Sequence, residues 1–422
     1  MAALPVRAPN LSPAALESRI LASPDHPYQG YVENDGRLDL PQLPQLSAVS
    51  SLLSGTTMMR TWFSSAQQWR TDVVTPTGEQ DTYQTSQGTA TWNFETGQIT
   101  RVSGSSSTRL PEPEDFVPAQ LALRVLHTAG KGVAVSSLPP QRIAGIAADG
   151  LEITPSADST IGRVDIWADP ATGVPLEASI YARGASSPAL SSRFLDVELT
   201  APAAATVAFK PAAGIPTAKT DTSAANALLL FLSPYSLPQT LAGKKQAPLP
   251  GSGPQNLSET GGSPGGGSGG VVLQNPGGTA VVIPDPGVGS ITFYTVVDAQ
   301  VLTYGTGLSS FIVAGLVTSA GSSAMSAATS AGAPVTFADG TGILIRTPLL
   351  TLLLVKTTHS GYYLLTGFVA PAVLVQAAGD LLNGLTEPLQ IYSSAPWICA
   401  SGASPNAVSA QCKPTPEGTP TP

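Results

Sequence analysis

The sequence predicts an α+β protein built on antiparallel sheet, and three observations carry that prediction. From Ser54 to Arg101, short runs rich in Val, Thr, Trp, Tyr and Phe are broken by turn signals at Ser64-Ser65, Thr75-Pro76-Thr77-Gly78, Gln87-Gly88 and Thr96-Gly97. That rhythm is a meander of hairpins. From Gly162 to Gly184 a second hairpin alternates cleanly, with Val164, Ile166 and Ala168 on one face of its first arm. Its second arm puts Val174, Leu176, Ala178 and Ile180 on one face, across the turn Asp169-Pro170-Ala171-Thr172-Gly173. Third, only a few segments carry helix start and stop signals, and they lie between the strand runs.

The elements follow in order. Ser12 and Pro13 open a helix to about Leu21, as N-cap and first helical residue, and Asp25-His26-Pro27 stops it. Tyr28–Leu40 reads as a strand, and a Pro/Gln/Leu loop leads into the meander. Glu114–Thr128 is the second helix, with acidic residues in its first turn, Gly130 past its end and an apolar face of Leu121, Val125 and Leu126. Strands resume after Val133, and a last one, Arg193–Leu199, ends this half near Pro211. Ala224–Leu232 is a short apolar helix closed by Ser233-Pro234. Between Gln246 and Ser290, 20 of 45 residues are Gly or Pro, a composition that reads as a linker too poor in apolar surface to order itself. Structure is expected to return at Ile291, with strands to Val313, an Ala/Ser-rich helix Thr318–Ala331, strands over Gly342–Lys356 and Gly361–Phe368, and a helix Pro371–Leu382. The predicted organisation is a first domain at 1–220, a connecting helix and turn at 221–245, the linker at 246–290, a small α+β domain at 291–388 and a tail at 389–422.

Composition narrows the function classes. The chain has 422 residues, enough for two ordinary domains, and 42% hydrophobic residues fill real cores. Charged residues make only 11%, the net charge is −8, and no Lys or Arg occurs from Gln246 to Ile345. A nucleic-acid footprint needs basic residues, so no nucleic-acid partner is expected. No apolar run of about 18 residues occurs, so no spanning helix is expected. The opening MAALPVRAP lacks the apolar stretch of a signal peptide, and an exported chain would have lost such a leader. Cys399 and Cys412 would close a disulfide loop in an oxidising compartment, worth about 3 kcal/mol; the plainer alternative is two exposed thiols in a tail.

Catalytic signals are sparse. His26, His127 and His359 are far apart, and none has metal-ligand spacing. The pattern GxSxG occurs around Ser263 and Ser268, but inside the glycine-rich stretch, without the strand and helix a nucleophile elbow needs. Asp72, Glu79 and Asp81 bracket the turn at 75–78. Paired carboxylates suit acid–base chemistry or calcium, and the plainer reading is a solvated hairpin end. No catalytic residue, metal set or cofactor is assigned. Met58, Met59, Trp62, Phe63, Trp69, Trp92 and Phe94 crowd into adjacent strands. They read either as core packed on the helix at 114–128 or as the lining of an adaptable apolar cleft. Both Met58/Trp62 and Met59/Phe63 suit burial, so the inward face stays open.

The order of these motifs resembles the LolA/LolB lipoprotein carriers and the RseB/MucB sigma-E regulatory proteins, most nearly actinobacterial secreted or lipid-anchored relatives. The residues are Ser54-Gly55-Thr56 with Arg60, Trp62 and Phe63; Pro76, Gly78, Glu79 and Asp81; Trp92 with Phe94; and Asp169, Thr172, Gly173, Pro175 and Leu176. Tyr304-Gly305-Thr306-Gly307 and the run Gly342–Leu349 look like that superfamily's C-terminal module. The resemblance covers about residues 10–385, and the glycine-rich insertion is longer than its pattern.

The resemblance implies a curved antiparallel half-barrel wrapped around helices, with a smaller α+β domain after it. It implies a non-enzymatic extracytoplasmic protein (periplasmic, cell-envelope or secreted) that binds a lipid or lipoprotein acyl chain in an apolar cavity. Met58, Met59, Trp62, Phe63, Trp92, Phe94, Ile166 and Ile180 are the expected lining. The alternative is a regulator binding a membrane anti-sigma factor. Peripheral or lipid-anchored membrane association suits either.

Overall fold

The computed structural model describes residues 9–40, 47–74, 78–102, 111–130, 132–211, 214–220, 237–247, 272–275, 278–282, 293–294, 301–316, 318–358, 361–384, 397–399 and 412–414. Helix α1 (Pro13–Ala22) starts where the Ser12 side chain accepts the Ala15 N–H at 3.3 Å, and it buries Leu16 and Ile20. Strand β1 (Tyr28–Gly36) follows. Then comes α2 (Ser47–Leu53), a helix in the stretch that reads as a loop. Strands β2 (Thr56–Ser65), β3 (Gln68–Val74), β4 (Glu79–Thr85), β5 (Gly88–Asn93) and β6 (Gln98–Val102) form the predicted meander. The helix expected from Glu114 is split. A 3₁₀ turn, Pro113–Phe116, precedes α3 (Pro118–Ala129), because Pro118 holds Val117 extended at φ −61° and ψ 134°. Strands β7 (Ala134–Ile143), β8 (Ile146–Thr154), β9 (Ile161–Ala168), β10 (Pro175–Ala182) and β11 (Leu190–Glu198) complete this half with the short helix α4 (Ala204–Val207) and strand β12 (Thr217–Thr220).

These strands form one 12-stranded sheet in the order β12-β6-β5-β4-β3-β2-β1-β11-β10-β9-β8-β7. All pairs are antiparallel except β12 with β6, and the sheet is not closed into a barrel. Helices α1 and α3 cover its inner face, α3 lying on β10 and β11. That face carries Val32, Met59, Phe63, Val164, Ile166, Ala178 and Ile180, packed with Leu16, Ile20, Leu121, Val125 and Leu126 in one apolar core. Alternate residues face outward, as the row Glu152, Asp165, Ser179, Ser191 and Asp35 across five strands shows.

The second sheet is smaller. Strands β13 (Thr240–Leu241) and β14 (Lys244–Ala247) come first; β15 (Val272–Asn275), β16 (Gly278–Val282) and β17 (Phe293–Tyr294) form a separate three-stranded sheet. β15 and β16 lie within the stretch 246–290 that reads as a linker. Val272 pairs with Val281 and Asn275 with Gly278, and Val272, Val281 and Val282 are β-branched residues that favour strand within this Gly/Pro-rich stretch. Strands β18 (Val301–Tyr304), β19 (Phe311–Leu316), β20 (Ala333–Phe337), β21 (Gly340–Arg346), β22 (Thr351–Thr357) and β23 (Tyr362–Gly367) join β13 and β14 in the order β13-β14-β18-β19-β23-β22-β21-β20. Helix α5 (Thr318–Ala328) covers one face, against Ile343, Ile345 and Leu354. Helix α6 (Pro371–Gly384) covers the other, its Leu374, Ala377 and Leu381 meeting Tyr304, Phe311, Leu353 and Leu365. Strands β24 (Trp397–Cys399) and β25 (Cys412–Pro414) pair with Cys399 directly across from Cys412, a backbone separation that a disulfide can span. The helix expected at 224–232 lies outside the described residues.

The two sheets meet at Ser159. Its hydroxyl donates to the Leu308 carbonyl at 2.6 Å and the Phe368 carbonyl at 3.1 Å, and Thr160 N–H donates to the Phe368 carbonyl at 3.0 Å. Lys244 pairs with Asp158 nearby. Leu308 and Leu349, from the second half, are buried in the apolar core of the first.

Two stability measurements check this fold. Gly173 has φ +77°, and a Cβ there would lie 2.2 Å from the Arg19 carbonyl oxygen; Gly184 has φ +78° with open space around it. In thermal denaturation Gly184→Ala is expected to cost about 1 kcal/mol, and Gly173→Ala roughly 1–3 kcal/mol more. Leu349→Ala is expected to destabilise the first half by roughly 2–5 kcal/mol, read as earlier hydrogen exchange in α3 and β9.

Candidate functional site

The eight residues expected to line one cavity fall on opposite faces of the first sheet. Met59, Phe63, Ile166 and Ile180 are on the inner face and buried. Phe63 stacks on Tyr28 with ring centres 4.9 Å apart, and Tyr28 meets Phe194 edge-on at 5.7 Å. Met58 and Trp62 alternate with Met59 and Phe63, so they face outward and are half-buried. Trp92 is on the outer face as well, stacked on Phe94 at 4.5 Å, and Phe94 is 45% exposed. The structure gathers the inner four into one core, while on the other face Trp92 and Phe94 stack together three strands away from Met58 and Trp62.

The outer face carries the chemistry. Register aligns Tyr31, Arg60, Asp72, Asp81 and Trp92 in one row, and Gln29, Trp62, Arg70, Tyr83 and Ala90 in the next. Arg70 joins the rows: its Nε donates to Asp72 Oδ1 at 2.6 Å and an Nη to Asp81 Oδ2 at 2.8 Å. Its guanidinium carbon lies 5.0 Å from the Trp62 ring centre and 4.9 Å from that of Tyr83, so the cation is held between two aromatic rings. Tyr83 in turn meets Phe209 at 5.1 Å, just past α4, which packs over β2 and β3.

Asp72 and Asp81 are therefore not a solvated hairpin end. Their side chains are 1% and 3% exposed, beneath the segment that carries Phe209. Directly opposed carboxylates repel, and here Asp72 Oδ2 and Asp81 Oδ1 are buried without a hydrogen-bond partner among the described residues. Burial, reinforced by the Asp81 charge and opposed by Arg70, pushes the Asp72 carboxyl up to about 7; burial likewise raises Asp81. One oxygen each from Asp72, Glu79 and Asp81 lie within 4.8 Å of one another. Arg70 already supplies positive charge at that point, and Arg60 lies 3.7 Å from Glu79, so the set does not call for a metal.

Beside Trp62, on the side away from Arg70, an open cleft of about 460 Å³ is lined by Gln29, Tyr31, Arg60, Trp62, Asp196 and Glu198, with Gly30 in its floor. Gln29 donates to Glu198 Oε2 at 2.9 Å. A β-bulge shapes the far wall: Tyr31 pairs with Asp196 and Val32 with Phe194, leaving Leu195 as the extra residue. Gly30 fits there because a Cβ would meet the Asp196 carbonyl oxygen at 2.4 Å.

Other motif residues serve the fold. Asp169 Oδ2 accepts the Thr172 N–H at 2.9 Å and its hydroxyl at 2.7 Å, so the Asp-x-x-Thr-Gly sequence is a turn lock. His26 follows the 3₁₀ turn Ser23–Asp25 and His127 sits in the last turn of α3, on separate elements. His359, Ser263 and Ser268 lie outside the described residues. Sequence reasoning missed Arg70, Gln29, Tyr31, Asp196 and Glu198. No local signal marked them: Leu195, the extra residue of the bulge, is apolar, and only the structure shows it exposed beside Asp196 between buried Phe194 and Val197.

The class is set by this architecture: an open, curved antiparallel sheet around two helices, joined to a smaller α+β sheet. Neither a protein-family model nor a curated protein matches the sequence. Solved structures are similar to it in fold. MucB in complex with MucA(peri) is 12% identical, covering 87% of this chain and 97% of that one, with a TM-score of 0.42. The MucA/MucB complex of Pseudomonas aeruginosa gives 12% identity, 86% and 97% coverage and a TM-score of 0.41. A LolA superfamily protein of Nitrosomonas europaea is 12% identical, covering 47% of this chain and 98% of that one, with a TM-score of 0.23. At such scores the likeness concerns fold alone, and function is read from this chain's own residues.

The buried pair makes a pH prediction. A carboxyl whose affinity for protons rises on folding stabilises the fold below its unfolded value and loses that contribution as pH rises through about 7. Asp72→Asn is expected to raise Tm at about pH 8, and to flatten the fall in Tm of the parent protein between about pH 4 and 7. Thermal melts across that range check the sign.

Proposed function

We propose that the protein is a non-enzymatic, extracytoplasmic binding protein that takes an acyl chain of a lipid or lipoprotein between the inner face of the first sheet and helices α1 and α3. The observation that carries this reading is the continuous apolar inner layer of an unclosed sheet. Met59, Phe63, Ile166 and Ile180 converge there on Leu121, Val125 and Leu126. Because the edge strands β7 and β12 do not pair with each other, the helices can shift from the sheet without breaking a ladder. An acyl chain entering that layer gains about 0.8 kcal/mol per CH2 buried, which several methylenes convert into useful affinity. Among the described residues no helix is long and apolar enough to cross a membrane, so contact with a membrane would be peripheral or through a lipid anchor.

A second reading, a sensor that binds a membrane anti-sigma factor, is favoured by the junction at Ser159. A ligand that displaces α3 presses on Leu308 and Leu349, which belong to the second half, so occupancy of one sheet reaches the other.

Native mass spectrometry of the protein purified from an exporting host, before and after organic extraction, tests the first reading. A discrete acyl-chain adduct is expected, with faster exchange in Met59→Ala and retention in Trp92→Arg. Loss in Trp92→Arg alone would move the ligand to the outer face. A clean unliganded mass would overturn lipid binding and leave the sensor reading.

A further inference from the structure

We propose that the outer-face cleft beside Trp62 is a binding site for a neutral saccharide, separate from the apolar interior. The site is independent of lipid binding in the interior, because this cleft is on the opposite side of the sheet.

The lining chemistry selects the ligand class. Trp62 supplies one apolar wall, and Tyr31, Gln29, Arg60, Asp196 and Glu198 supply donors and acceptors around it. Both charge signs are present within one cleft. An anion would lie against Asp196 and Glu198, and a cation against Arg60. A neutral polyhydroxy ligand suits both, since each hydroxyl donates to a carboxylate and accepts from an arginine or amide. The C–H face of a pyranose ring stacks on an aromatic ring as an apolar surface. With a volume of about 460 Å³ the cleft has room for a small ligand, and it is open to solvent.

Two features show that this geometry is built in. The bulge at Leu195 is one. Without it, the alternation through Ser192 and Phe194 would turn Asp196 inward and Val197 outward; with it, Asp196 and Glu198 are exposed beside Tyr31 and Gln29 while Val197 remains buried. Bulges commonly re-aim side chains at functional sites. The fixed orientation of Trp62 is the other. Arg70 packs on the β3 side of its ring and is itself fixed by buried Asp72 and Asp81, while Gln29 and the cleft lie on the β1 side. Asp72 and Asp81 both bond the Arg70 guanidinium. Their effect is to hold a cation, and through it the indole, at the cleft wall.

Affinity electrophoresis of the full chain through gels containing soluble glucan, mannan, galactan or arabinan tests the proposal, followed by calorimetry with oligosaccharides of the retarding polymer. Retardation by at least one of these, little changed by salt, is the expected result. Trp62→Ala should weaken binding about tenfold, as loss of an aromatic stack would. Asp196→Asn and Glu198→Gln should weaken it several-fold. Because Trp62 also packs on Arg70, those two variants of exposed carboxylates decide the matter should Trp62→Ala fail to fold. The proposal is overturned if no polymer retards the protein, or if retardation is equal in the parent and both carboxylate variants. It is also overturned if the cleft binds only tetramethylammonium or heparin with salt-sensitive affinity, which would make it an ion site.

Discussion

The constraint on which this structure depends is the period of two along a strand. Every residue of the first sheet belongs to one face or the other, and a strand that serves both must write two sequences in one. In β2 the inner sequence is Thr57, Met59, Thr61 and Phe63, and the outer one is Met58, Arg60 and Trp62. The inner set packs on helices and closes the core. The outer set, with Arg70, Asp72, Asp81 and Tyr83 from the next strands, builds a charged and aromatic surface. An open sheet can carry two unrelated functions on its two sides, and here the sides differ as sharply as their residues.

Burial of the outer set is partial and uneven. Asp72 and Asp81 are buried where α4 packs over β2 and β3 and Phe209 meets Tyr83, and Arg70 pairs with both. A buried ion network of this kind adds little net stability, since desolvation offsets most of the attraction. It does fix geometry. Arg70 has its fork occupied by two carboxylates and its two faces by rings, so neither it nor Trp62 has freedom to turn. On the β1 side of Trp62 the same face is an open cleft.

The two halves are joined by side chains more than by backbone pairing. One isolated bridge, Ser159 with Val369, links the sheets, while the Ser159 hydroxyl and buried Leu308 and Leu349 supply most of the contact described. A junction of this type lets a change in one core be felt in the other. It also makes the first core depend on residues nearly two hundred positions away, which no local pattern announces.

Much of the architecture was legible in the sequence because it rests on local rules. The meander, the 162–184 hairpin, the capped helix α1 and the apolar helix α3 each follow from alternation, turn chemistry or capping within a few residues. Local evidence also misled where two rules competed: Pro118 divided the second helix. The sequence by itself determined which residues alternate, and so that Met58 and Met59, or Trp62 and Phe63, must part company. Only the tertiary structure decided which of each pair faces the helices. That choice depends on where α1 and α3 land and on the bulge at Leu195 that resets β11, and both are set by contacts between segments distant in sequence, α1 with β7 and β8, α3 with β10, and β1 with β11.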